Sequence, residues 1–130
     1  MARHCLILLH TLRPRKKAEN NTGAVTRIIL LLNVLDLLET EGVNVKYVKL
    51  DKHGEVDLSD LEQILKSHEG VKLVSLMYIN NEIGNLLDID EVARTCKLYN
   101  SFFHTDSVQA IGQYKIDLRS TPIDFLSASA

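Results

Sequence analysis

Asp106 and Gln109 stand at the end of a short aromatic stretch, Ser101-Phe102-Phe103-His104-Thr105, where the sequence turns small and polar. A carboxylate that closes a buried strand lies at the C-terminal edge of an open α/β sheet, where such sheets bind ligands. The carboxylate accepts hydrogen bonds, and the Gln109 amide both donates and accepts. A second apolar run, Val71 to Ile79, closes in the same way with Asn80-Asn81-Glu82-Ile83-Gly84. Two strand ends thereby deliver polar side chains to one edge of one sheet. His104 is of the acid–base type, but its place inside the strand favours a packed, structural histidine. Glu82 reads as a carboxylate organising its turn. Cys96 falls on the apolar side of a helix with nothing electropositive beside it, which marks a small core residue rather than a reactive thiol.

The elements that must position these groups follow from periodicity. Leu31, Val34, Leu35 and Leu38 recur at helical spacing within a segment from about Thr26 to Glu41, and Gly42 supplies a C-terminal stop. Asn44 to Leu50 alternates as a strand, and Asp51 to Gly54 makes a turn. Asp57 or Ser59 caps a helix to about Ser67 that buries Leu58, Leu61, Ile64 and Leu65. The run from Val71 to Ile79 is apolar nearly throughout, which predicts a strand covered on both faces. Asp88 caps a helix to Tyr99 that buries Ile89, Val92, Ala93 and Cys96. Strands follow at 101–105, 113–116 and 124–129. Helices alternating with apolar strands predict an α/β domain, a three-layer sandwich around a mostly parallel sheet.

Composition sets the outer bounds. The 130 residues are 45% hydrophobic and 25% charged, enough for one globular domain with a core. The net charge of −2 hides an asymmetry. Arg3, Arg13, Arg15, Lys16, Lys17 and Arg27 face only Glu19 in the first 35 residues, and the remainder is acidic. An acidic body argues against a nucleic-acid-binding protein, and the basic run Arg13 to Lys17 has no interleaved aromatics. Residues 1–32 match a transit peptide in their basic bias, but a solvated, poorly ordered segment is favoured. Cys5 and Cys96 stand in unlike contexts, which suggests no disulfide framework and no metal site. No apolar run approaches the ~20 residues that span a bilayer.

The run Leu73-Val74-Ser75-Leu76-Met77-Tyr78-Ile79-Asn80-Asn81-Glu82-Ile83-Gly84, followed by His104-Thr105-Asp106-Ser107-Val108-Gln109, resembles the cofactor core of NifS-like cysteine desulfurases. These belong to the class V aminotransferase family of pyridoxal 5'-phosphate (PLP) enzymes. The likeness runs from about Asn33 to Ala130 and implies that residues 33–130 are part of the large, PLP-binding domain of a fold-type I enzyme. It further implies that the Asp106 carboxylate keeps the cofactor's pyridine nitrogen protonated, which makes the ring an electron sink. Gln109 would bond the phenolic oxygen, Asn81 would be a second polar contact, and Ser129 would hold the phosphate. The residue-level alternatives are a turn-capping Asp106 and turn amides at Gln109 and Asn81. The implied substrate is L-cysteine, with sulfur passed to acceptor or scaffold proteins for iron–sulfur cluster assembly. The implied setting is a cytoplasmic homodimer that engages neither nucleic acid nor membrane.

Departures from the family limit that reading. The lysine to which the family attaches PLP would come after Ser127-Ala128-Ser129-Ala130, and the sulfur-accepting cysteine later still. The family's Gly-Thr phosphate loop is not visible, and Arg27-Ile28 stands where its Glu-His pair would be. The expectation is a truncated fragment with no catalytic residue of its own, inactive alone and prone to aggregate through apolar surface. The alternatives are a non-catalytic scaffold or dimerisation remnant, or a fragment of a related class V aminotransferase or selenocysteine lyase. Residues 1–32 fall outside the likeness. Codons for Ile28 to Leu32, read from the C that precedes them and with one G omitted, can spell a family-like His-His-Ser-Val-Leu, so either a frameshift or a diverged N-terminus accounts for them.

Overall fold

A computed structural model of the chain describes residues 5–8, 33–34, 36–80 and 84–129. Its elements are β1 (Cys5–Leu8), β2 (Asn44–Tyr47), α1 (Leu58–Ser67), β3 (Lys72–Met77), β4 (Ile79–Asn80), β5 (Asn85–Leu86), α2 (Ile89–Leu98), β6 (Phe102–Asp106) and β7 (Phe125–Ser127). Residues 36–40 are helical as well.

Each described helix is bounded by local chemistry. The Asp57 carboxylate accepts the N–H groups of Ser59 and Asp60 and starts α1; Asp88 accepts that of Glu91 and starts α2. Two helix ends close with the same pair of bonds. After residue 40, the Val43 N–H reaches Leu38 O at 3.0 Å and the Gly42 N–H reaches Glu39 O at 3.0 Å. After α2, the Ser101 N–H reaches Cys96 O at 2.8 Å and the Asn100 N–H reaches Lys97 O at 3.2 Å. Both turns need one residue with positive φ, and Gly42 (88°) and Asn100 (51°) supply it. These compact stops feed each helix straight into the next strand.

The main sheet has the order β2-β1-β3-β6-β7, and every pairing in it is parallel. A separate antiparallel pair joins β4 to β5. The connections β2 to β3 and β3 to β6 step one way across the sheet, and β1 to β2 steps the other way. Right-handed crossovers then place α1 and α2 on one face, where their apolar residues meet β3 and β6. That is the α/β sandwich expected from the alternation of elements. Its core joins Leu61 and Leu65 of α1, Val92, Ala93 and Cys96 of α2, Val74 and Leu76 of β3, and Phe103 of β6.

Four expectations change. Cys5–Leu8, read as part of a solvated segment, is a strand inside the sheet, paired to β2 on one side and β3 on the other. Four apolar residues are enough when both neighbours are strands. The strand expected over Val71–Ile79 stops at Met77, where the Tyr78 N–H makes the last ladder bond to β6, on Asp106 O at 2.8 Å. Leu87 N–H then reaches Tyr78 O at 2.8 Å, folding β4 and β5 into their own hairpin. Nor is β3 covered equally on both faces. Val74 and Leu76 are fully buried, whereas Leu73, Ser75 and Met77 are only half-buried and Val71 is exposed. Finally, the strand expected at 113–116 is a turn: Gln113 and Tyr114 both donate to Ala110 O, and the Tyr114 ring packs edge-on against Tyr78 at 6.1 Å. The helical turns expected before residue 33 lie outside the described residues.

Candidate functional site

Alternation along β6 sorts its side chains. Phe103 and Thr105 point into the core at 0% exposure, so Phe102, His104 and Asp106 share the other face. Register carries that face across the sheet: Ser75 pairs with His104, Met77 with Asp106, Phe125 with His104, and Ser127 with Asp106. The two strand ends read from the sequence are thus neighbours, and a third, β7, joins them.

Asp106 is half-buried at this edge. One carboxylate oxygen accepts the Val108 N–H at 3.0 Å, which shapes the turn into 108–110. The other accepts no hydrogen bond from the described residues. Asp106 is therefore both a turn-former and an open acceptor, so the two readings of it are compatible. Gln109 sits exposed in that turn, and Ser129 is exposed just past β7. Asp106, Gln109 and Ser129 surround the same sheet edge without bonding to one another. Asn81 and Glu82 lie outside the described residues.

The polar groups between them were not legible as a set. The His104 ring bonds Ser75 Oγ through Nδ1 at 2.7 Å and Ser127 Oγ through Nε2 at 2.8 Å. Burial lowers its pKa and the Asp106 charge partly opposes this. Asp124 is a second addition. Its carboxylate accepts the Phe103 N–H at 2.8 Å and its own N–H donates to Phe103 O at 3.0 Å, so β7 is latched to β6 before the ladder begins. Ser107, next to Asp106, is wholly buried, its hydroxyl without a partner among the described residues. Only long-range register could have shown these groupings; the clue available in sequence was the hydroxyl or imidazole at alternate positions of three strands.

Groups for covalent chemistry are elsewhere. Lys72 is buried at the opposite end of β3, its ammonium donating to His68 O at 3.2 Å, and Lys97 and Lys115 are exposed away from the edge. Cys96 is 1% exposed within the core, and burial with the nearby Asp124 charge pushes its thiol up to about 12. It is the packed residue that its helix position predicts.

The sequence profile of the aminotransferase class-V family matches residues 22–130. The chain belongs to the class-V aminotransferase family. Among curated members, it is 42% identical over 100 residues to the cysteine desulfurase IscS of Clostridium botulinum, covering 77% of this chain and 25% of that protein. It is 38% identical over 99 residues to a cysteine desulfurase of Nostoc sp., covering 76% and 24%. This class-V chain thus spans about a quarter of the length of those relatives. The solved structure of a NifS-like protein from Rickettsia africae superposes with a TM-score of 0.69 at 27% identity, over 98% of this chain and 30% of that one. The family match begins upstream of Asn33, where the motif likeness began. Membership implies PLP, and the donor set at the edge suits it: an open carboxylate for a protonated ring nitrogen, an amide, and a hydroxyl.

Proposed function

We propose that these residues form the pyridine-nitrogen side of the PLP site of a cysteine desulfurase. The parent reaction converts L-cysteine to L-alanine and passes the sulfur to a protein thiol for iron–sulfur cluster assembly. When bound, PLP supplies an electron-withdrawing ring. The Asp106 carboxylate holds a proton on the ring nitrogen through its open oxygen, while Val108 N–H fixes the other oxygen and so the carboxylate plane. Gln109 orients the ring by bonding its phenolic oxygen, and Asn81 adds a second polar contact there. Ser129 binds the phosphate. A homodimer in the cytoplasm, delivering sulfur to acceptor or scaffold proteins, completes the reading. The observation that carries it is the strand-end carboxylate with one oxygen open, in a class-V chain 42% identical to a cysteine desulfurase.

Binding of PLP to the purified chain tests this, followed by equilibrium dialysis. Wild type retains PLP, and Asp106→Ala retains it at least about tenfold more weakly, the scale of one charge-assisted hydrogen bond. Equal retention by both proteins would sink the assignment. The same 130 residues release no sulfide from L-cysteine above the rate of free PLP. No lysine stands at the edge among the described residues, and the thiol of Cys96 is protonated and enclosed.

A further inference from the structure

Asp106 is bracketed by two ladder bonds. Its carbonyl accepts the Tyr78 N–H from the β3 side at 2.8 Å, and the adjoining Ser107 N–H donates to Ser127 O on the β7 side at 2.9 Å. β7 is the outer strand of the described sheet and only three residues long, so few ladder bonds hold it. The His104 imidazole adds a second kind of restraint. Its two nitrogens lie on opposite edges of a rigid ring, and each is engaged by a serine from a different neighbouring strand. Whichever tautomer is present, one ring N–H donates to one serine oxygen and the bare nitrogen accepts from the other serine's O–H. With both nitrogens occupied, no lone pair is left to take a proton from a ligand at the edge.

We infer that His104 is a positioning residue that clamps β7 to β3 across β6, and so sets where Ser127 to Ser129 lie relative to Asp106. This rests on reading Asp106 and Ser129 as two sides of one PLP site. A shift of β7 by a fraction of its pleat would move the phosphate-binding hydroxyl while leaving the carboxylate in place.

Two substitutions separate the halves of the clamp. In His104→Asn the amide reaches about as far as Nδ1 and keeps Ser75; in His104→Gln it reaches about as far as Nε2 and keeps Ser127. Hydrogen exchange is read at two amides on either side of Asp106, Ser107 (to β7) and Tyr78 (to β3). In His104→Asn, Ser107 exchanges about fivefold faster than in wild type and Tyr78 is unchanged, the size expected for one net hydrogen bond. Ser127→Ala reproduces this; His104→Gln restores wild-type protection at Ser107 and instead quickens exchange at Tyr78, the amide on the Ser75 side. PLP retention follows the same order, weaker in His104→Asn than in His104→Gln. Equal acceleration at both amides, or none at Ser107, overturns the clamp whether or not PLP binds. Loss of PLP retention in every protein, wild type included, with the Ser107 effect intact, instead overturns the cofactor reading and leaves the clamp standing.

Discussion

Phe103 and His104 are consecutive in β6, yet one lies at the centre of the core and the other beside the candidate site. The Phe103 ring is 0% exposed, under α2 and against Val74 and Leu76. Its neighbour His104 faces Ser75, Ser127 and Asp106, with Phe102 and Phe125 nearby, half-exposed and 6.0 Å apart. One face is closed and mostly apolar, the hydroxyl of its buried Thr105 donating to Leu76 O at 3.0 Å. The opposite face of the same strands is polar, partly open and defined by particular donor–acceptor pairs. Function can therefore diverge on one face without repacking the other, because a strand sends alternate residues to each.

The largest test of that contrast is Phe103→Ala against Phe102→Ala. Removing the buried ring costs about 3–5 kcal/mol, a large share of a typical domain's stability. Removing the half-exposed ring forfeits one aromatic contact, about 1 kcal/mol or less. Urea denaturation gives both numbers, and similar losses would abolish the distinction between the faces.

A smaller test probes where the two faces meet. Ser107, directly after Asp106, carries a buried hydroxyl without a partner among the described residues. Ser107→Ala removes it at almost constant volume, so stability rises by about 1 kcal/mol. A destabilised variant would mean that the hydroxyl is satisfied in solution and that polar geometry extends into the core.

The smallest effect is on pH dependence. Burial lowers the His104 pKa from 6.5, so the unfolded chain takes up the proton more readily than the folded one. The stability linked to this group is present above pH 6.5 and is lost as pH falls toward the folded value. Wild type accordingly loses more melting temperature than His104→Gln on acidification through that window. The reverse order would mean that Asp106 outweighs burial, and that this face is more polar than its packing indicates.

Much of the closed face was legible in sequence because its signals are local. Asp88 and the spacing of Ile89, Val92, Ala93 and Cys96 specify α2 within a dozen residues. Asp57 and Gly42 did the same for their helix ends. Asp106 was legible because strand and turn meet there. What was missed depends on partners far away in the chain. β1 has too few residues to show a period, and becomes a strand only between β2 and β3. The break after Tyr78 needs the Leu87 N–H to take its carbonyl, and the Ser75–His104–Ser127 set exists only once three strands are in register. The apolar letters of Val71 to Ile79 suggested cover on both faces, but composition cannot tell which alternate residues a helix will reach.

The place of β1 has a consequence for how the chain comes together. Cys5 pairs with Asn44 on one side and with Lys72 on the other, so the first of the described strands occupies an interior slot. Its union with β3 spans more than half the chain, the kind of non-local pairing that slows folding. The sheet extends from that seam in both directions, and the rim bearing Asp106 is complete only once β6 and β7 have both joined β3.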